Sequence, residues 1–304
     1  MTEFPGSIKT PTIDEVESSF MQLTEAINSH RKWLAEWNTR IICGIYVEEQ
    51  YASEESHKQC YFGRWFYGKR NNFLEQKPEF TGLEKQHRLV HEQMRNIVMK
   101  ANRGESIARV EYDNFVRSDG AFTESLMNLR DDLFKLMLSF DYLTGAFNRE
   151  AFFRILEQEH SRVKRFNEPA CLVLLDIDRF KKINDHLGHT AGDRALASIA
   201  NFIMENMRPY DSICRYGGEE FMICMPKTTV ETSHHLIDRV REELSKKTIY
   251  DVSGTKRLNI SASFGIAPLS ANEELKDTIE HADKVLYHAK ANGRNKVGVW
   301  PANA

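Results

Sequence analysis

Two carboxylates follow directly on two glycines in Arg215-Tyr216-Gly217-Gly218-Glu219-Glu220-Phe221, between the runs Ser212–Tyr216 and Phe221–Met225. Glycine takes positive φ at little cost, so the pair fits the tight primed turn of a hairpin. The hairpin needs only the glycines. Acids beside an apolar strand lower stability unless a cation or solvent compensates them, so Glu219 and Glu220 are either a solvated tip or one wall of a cation site. Asp176 ends the apolar run Ala170–Leu175 and either caps the next helix or offers its carboxylate at the sheet edge. The stretch from Asp176 to Asp193 joins an acidic strand end, a basic turn, Asn184 and a glycine-flanked Asp193. Amide and carboxylate groups together suit a purine edge, and the backbone N–H groups of Phe180 and Lys181 at a helix start suit phosphate.

A second constellation lies in the first half. His87 and His91 stand four apart, which puts both imidazoles on one helix face. Two core histidines would read the same way. His30, however, occupies an apolar position in another helical seam, and Cys60 sits at the polar-to-aromatic junction Ser56-His57-Lys58-Gln59-Cys60-Tyr61-Phe62. Three imidazoles and one thiolate make a closed tetrahedral Zn²⁺ set with no open position, hence structural or regulatory. His57 is a nearby competitor and is expected at the surface.

These residues have to be positioned by two different kinds of architecture. Ile13, Val16, Phe20, Leu23, Ile27, His30, Leu34, Trp37 and Ile41 alternate steps of three and four, the seam of a long helix. Leu83, His87, His91, Met94 and Val98 mark a second helix, and Phe122 to Phe140 a third, so 1–137 reads as an all-α antiparallel bundle. The pattern changes across Ser139–Leu143. Beyond it come a central strand ending at Asp176, the hairpin, a helix over 229–246, a strand over 258–266, a helix over 277–292 stopped by Gly293, and a last strand over 296–300. Residues 138–304 are thus expected to form a separate α/β domain.

At 304 residues the chain suits about two domains. Its 41 basic and 44 acidic side chains disfavour a DNA- or RNA-binding surface. The first residues lack a basic-then-apolar leader, and no run approaches the length of a membrane span, so a soluble cytoplasmic protein is expected. Cys43, Cys60, Cys171, Cys214 and Cys224 are an odd set, read as buried thiols plus one ligand.

Four ordered motifs, DYLTGAFNR (141–149), DIDRFKKINDHLGHTAGD (176–193), RYGGEEF (215–221) and AKANGRNKV (289–297), resemble the GGDEF-type diguanylate cyclase domain over 138–300. The resemblance implies a nucleotidyl-cyclase-like fold with a mostly antiparallel central sheet, and the condensation of two GTP into cyclic di-GMP and two pyrophosphates by a homodimer. By position it makes Asp176, the Ile177 carbonyl and Glu219 ligands of Mg²⁺ or Mn²⁺. Asn184 and Asp193 would read guanine, Lys290 and Arg294 would hold phosphates, and Glu219 or Glu220 would deprotonate the attacking hydroxyl. Glu at 219 is a common functional variant of the family's Asp. Arg208 and Asp211 resemble the family's RxxD site for cyclic di-GMP feedback, with Arg239 from the next helix as a further contact. CxFGRW (60–65) and HxxxH (87–91) resemble the chemoreceptor zinc-binding domain over 13–135, with His30, Cys60, His87 and His91 as ligands. That resemblance implies inhibition by zinc, a sign nothing in the residues fixes. The alternative is a non-catalytic cyclic di-GMP receptor or metal-sensing adaptor.

Overall fold

The computed structural model describes residues 11–48, 53–68, 72–75, 77–250 and 257–301. Pro11–Met137 form one compact unit, and the chain from Leu138 belongs to the other.

The first unit is helical, built on α1 (Ile13–Ile42), α5 (Pro78–Asn102) and α6 (Arg109–Met137), with short helices α2 (Ser56–Gln59), α3 (Tyr61–Tyr67) and α4 (Asn72–Glu75) between α1 and α5. Thr12 and Glu15 form a capping box that satisfies free N–H groups where α1 begins. Pro78 starts α5, where its missing N–H has no partner to lose. The three-and-four seams do face inward: Leu23, Ile27 and Trp37 of α1, Leu83, Met94 and Val98 of α5, and Phe115, Phe122, Leu126 and Leu133 of α6 are all buried. The third helix ends at Met137, short of the expected Phe140, which instead bridges to Phe147. His30, His87 and His91 lie among these buried apolar side chains.

The second unit is a five-stranded sheet in the order β2-β3-β1-β6-β7, from β1 (Cys171–Ile177), β2 (Ser212–Gly217), β3 (Glu220–Met225), β6 (Ala262–Pro268) and β7 (Val297–Val299). β1 is central and antiparallel to both β3 and β6, while β7 is parallel to β6. This is the mostly antiparallel sheet expected. Helices α7 (Arg149–Phe166), α8 (Phe180–Leu187), α9 (His189–Asn206), α10 (Val230–Ser245) and α11 (Leu275–Ala291) accompany it. Val173, Leu175, Phe221, Ile223, Phe264 and Ile266 pack with Ala195 and Ile199 of α9 and with Ile237 and Val240 of α10. A strand buried on both faces reads as the continuous apolar run seen in β1.

Two strand expectations need correction. The single strand over 258–266 is two, because β5 (Arg257–Asn259) pairs with β4 (Thr248–Tyr250) in a separate ribbon and β6 starts only at Ala262. Between them Ser261 turns to Asp178, accepting its N–H and donating its hydroxyl. The hairpin is also not a two-glycine primed turn. Gly217 stays in the ladder opposite Glu220, a register shift falls between Arg215 and Gly217, and only Gly218 takes positive φ, at 53°. Cys171, Cys214 and Cys224 are buried free thiols on the sheet. No helix among the described residues is long and apolar enough to cross a membrane.

Candidate active site and metal centre

The β1–β3 register places Asp176 directly opposite Glu220. Cross-strand partners share a face of the sheet, so the two carboxylates are neighbours and repel. Glu219 sits in the turn, half-buried, with its carbonyl accepting from Ile177 N–H at 3.3 Å. Burial raises the Asp176 carboxyl above its usual range, opposed by Lys290 and Arg294. Burial also raises Glu220, reinforced by Asp176. Lys290, from the last turn of α11, puts its Nζ 2.7 Å from Asp176 Oδ2. A cation thus already stands on this acid, and the donor set is carboxylate oxygen, which is what Mg²⁺ takes alongside substrate phosphates. Arg294, exposed just beyond Gly293, is itself left-handed at φ 63°.

Asn184 on α8 is half-buried and Asp193 on α9 is exposed. A Cβ on Gly192 would collide with Asn184 Oδ1, so the glycine keeps room for that amide. Gly192→Ala is expected to lower stability by about 1–3 kcal/mol, because the added methyl has to displace the Asn184 amide, which thermal denaturation would check. Phe180 is buried and Lys181 exposed at the start of α8, whose N-cap Arg179 is left-handed at φ 57°.

Sequence reasoning missed the residues that hold this site. Asp178 is taken up entirely by structure: it accepts from Ser261 Oγ and Ser263 Oγ, both at 2.7 Å, and from Asn295 N–H at 2.9 Å. One carboxylate thereby fixes the end of β1, the start of β6 and the left-handed Arg294-Asn295 segment. The only sequence signal was two serines in an otherwise apolar strand. Arg215 braces the hairpin through Gly218 O at 3.0 Å and reaches Asp141 Oδ2 at 3.4 Å.

Arg208 and Asp211 close one turn: Asp211 Oδ2 accepts from Arg208 N–H, and Asp211 N–H donates to Arg208 O, both at 3.0 Å. Asp211 is buried, its Oδ1 has no partner, and burial pushes its carboxyl up to about 6. Arg208 reaches Thr228 Oγ1 at 3.4 Å. Arg239 lies exposed on α10. A carboxyl raised in the fold contributes stability that is complete below the unfolded value near 3.8 and lost as pH rises through 6. At pH 7 the ionised Asp211 therefore costs up to about 3 kcal/mol relative to its protonated form. Asp211→Asn is expected to keep or raise the melting temperature at pH 7, which calorimetry would check.

In the helical unit, Cys60, His87 and His91 bring one ligand atom each within 4.8 Å of one another, the one such cluster of three or more His, Cys, Asp or Glu among the described residues. Cys60 Sγ lies 3.3 Å from His87 Nε2 and accepts Gly63 N–H at 3.1 Å. Ser56 Oγ lies 3.1 Å from His91 Nδ1. His91 Nε2 and His87 Nδ1 are buried without partners. Burial, then the neighbouring histidines, drives His87 down to about 2 and His91 to about 3, keeping both neutral with lone pairs available. Burial pushes the Cys60 thiol up to about 11. Two neutral imidazoles gathered with a thiol, with an orphaned nitrogen on His91, fit zinc. His30 is buried but outside the cluster, with its ring centre 6.3 Å from that of His87. His57, expected at the surface, is buried, because its Nδ1–H reaches Glu54 O at 3.0 Å and tucks the ring under the loop.

Residues 138–296 match the model of the diguanylate cyclase GGDEF domain, over half of the chain. This chain belongs to the GGDEF diguanylate cyclase family. Residues 30–98 of the cyclase match the chemoreceptor zinc-binding domain. It is 28% identical to the diguanylate cyclase DgcZ of Escherichia coli over 93% of this chain and 94% of that protein. It is 27% identical to the E. coli diguanylate cyclase DosC over 88% of this chain, but spans only 58% of that protein. The coiled-coil and GGDEF structure of DgcB from Caulobacter crescentus, in complex with c-di-GMP, aligns with a TM-score of 0.55 at 30% identity, over 59% of this chain and 96% of that one.

Proposed function

We propose that this cyclase condenses two GTP into cyclic di-GMP and two pyrophosphates as a homodimer, under control of zinc in its helical unit. The observation that carries the reading is the meeting of Asp176, Glu220 and Lys290 at the open end of the β1–β3 ladder. A Mg²⁺ or Mn²⁺ ion held by Asp176, the Ile177 carbonyl and Glu219 would supply charge neutralisation at the α-phosphate. Lys290 would exchange its contact with Asp176 for a GTP phosphate, with Arg294 beside it. Asn184 and Asp193 hold the guanine edge.

Of the two hairpin acids, Glu220 suits the proton acceptor, since a carboxyl raised by burial and by Asp176 is a better base than an ordinary one. It takes the proton of a 3′-hydroxyl as that oxygen bonds to the α-phosphorus of the other GTP and pyrophosphate leaves. Each domain holds one GTP, so two copies have to face each other, and the step occurs twice. Arg208 and Asp211, with Arg239, form the product-feedback site, where Arg208 grips phosphate or guanine.

Purified protein incubated with GTP and Mg²⁺, with and without a zinc chelator, is expected to form cyclic di-GMP in at least one state. Binding of cyclic di-GMP without turnover in either state would favour a receptor instead. Arg208→Ala is expected to raise the inhibition constant for cyclic di-GMP at least about tenfold while leaving initial rates unchanged, since it removes a charge-assisted contact remote from the reacting atoms.

A further inference from the structure

Gly293, Arg294 and Asn295, which follow α11, all take left-handed backbone, at φ 107°, 63° and 46°. Glycine does so freely and asparagine at small cost, but an arginine there is held against its preference. Such a residue persists only where its surroundings over-determine it. Arg294 N–H donates to Ala289 O at 3.1 Å, and Asn295 N–H donates to Asp178 Oδ2 at 2.9 Å. Both of these holds act on the backbone.

A third hold reaches the turn from α10. Arg241 Nη1 donates to Asn295 Oδ1 at 3.2 Å, so the residue next to Arg294 is gripped through its backbone by Asp178 and through its side chain by Arg241. Arg241 is itself fixed, because its Nε donates to Asp238 Oδ1 at 2.7 Å and its side chain is only 16% exposed. A planar guanidinium anchored at Nε has its remaining donors already aimed. Arg294, by contrast, is exposed, and its charge acts on the Asp176 carboxyl. The turn thus carries an exposed cation at the edge of the candidate active site on a backbone clamped from outside. We propose that Arg241 is a positioning residue for GTP: by holding Asn295 it keeps Arg294 in the left-handed turn that presents its guanidinium to the terminal phosphates. This rests on the reading of Arg294 as a phosphate ligand. Arg241 acts through Asn295 and Arg294 and touches no substrate.

The test measures by calorimetry the dissociation constant of α,β-methylene-GTP with Mg²⁺, a probe that keeps every phosphate and has carbon in place of the bridging oxygen that would be cleaved. It uses the full chain as the native protein, Arg294→Ala, Arg241→Met, Asn295→Gly and the double variant Arg241→Met with Arg294→Ala. Arg294→Ala loses a charge-assisted contact and is expected to weaken binding about tenfold or more. Arg241→Met keeps the apolar stem, and Asn295→Gly keeps the left-handed backbone accessible; each removes one end of the hold and is expected to weaken binding roughly three- to tenfold. The double variant should bind within about twofold of Arg294→Ala alone, because a residue that acts through another adds nothing once the other is gone. A merely structural Arg241 would lower the melting temperature without that pattern. Affinity within about twofold of native in both Arg241→Met and Asn295→Gly, or losses that multiply in the double variant, would overturn the inference and leave the role of Arg294 intact. If Arg241→Met does not fold, Asn295→Gly alone and combined with Arg294→Ala decides the matter by the same criteria. If the native chain does not bind the analogue, or Arg294→Ala binds it equally well, the phosphate reading fails and takes this inference with it.

Discussion

Asp176→Asn is expected to lower cyclic di-GMP formation by at least about 10³-fold, equivalent to roughly 4 kcal/mol of transition-state stabilisation. The substitution keeps the size of the side chain and removes the strand-end charge that pairs with Lys290, whereas Asp178 is consumed by Ser261, Ser263 and Asn295. An amide is a poor ligand for a hard dication and a poor partner for Lys290 Nζ. The loss should appear in kcat and persist at saturating GTP. Folding should not suffer, because at Asp176 burial and repulsion from Glu220 across the β1–β3 ladder outweigh the ion pair with Lys290. The melting temperature is thus expected to stay level or rise. Activity within tenfold of the native rate would remove Asp176 from the mechanism. Asp178→Asn makes the contrast: it should lower stability, because one of two buried serine hydroxyls or the Asn295 N–H loses a charged acceptor.

Cys60→Ala is expected to weaken zinc binding by at least about 100-fold, since it deletes the only thiolate from a site whose total affinity is shared by a few ligands. In the native chain the affinity should also depend steeply on pH, with a slope that follows from the site. The Cys60 thiol, held up to about 11 by burial, is protonated at neutral pH and has to lose that proton to the ion. His87 and His91, held down to about 2 and 3, are already neutral and release none. The Cys60 proton leaves as the ion binds, so this thiol alone should make the zinc dissociation constant fall about tenfold per pH unit between about 7 and 9. Zinc titrations against a competing chelator across that range would measure the slope, and a flat profile in the native chain would contradict a thiol ligand. The Cys60→Ala profile should lose the slope along with the affinity.

The sequence determined the two-domain plan because its periods are unambiguous. Steps of three and four on α1, α5 and α6 can bury a face only as helices, and the unbroken apolar run of β1 suits a strand covered on both sides. It also determined the chemical inventory, since acids after a strand, a Gly-Gly-Glu-Glu hairpin and a His-x-x-x-His pair name themselves by type and spacing. The tertiary structure alone decided how the inventory is used. Which of two strand-end acids is free depends on serines 83 and 85 residues away from Asp178, a distance no local pattern encodes. That Lys290 sits on Asp176 depends on the meeting of α11 with β1. The hairpin turn was misjudged because a register shift between Arg215 and Gly217 keeps Gly217 in the ladder, a tertiary adjustment that composition does not carry. Asp119 was invisible as a half-buried polar group because burial of a polar residue depends on finding its partner, and its partner His30 is set by how helices pack. Spacing along one helix fixed His87 and His91 as a pair, but the hold on His30 comes from a carboxylate 89 residues further along the chain.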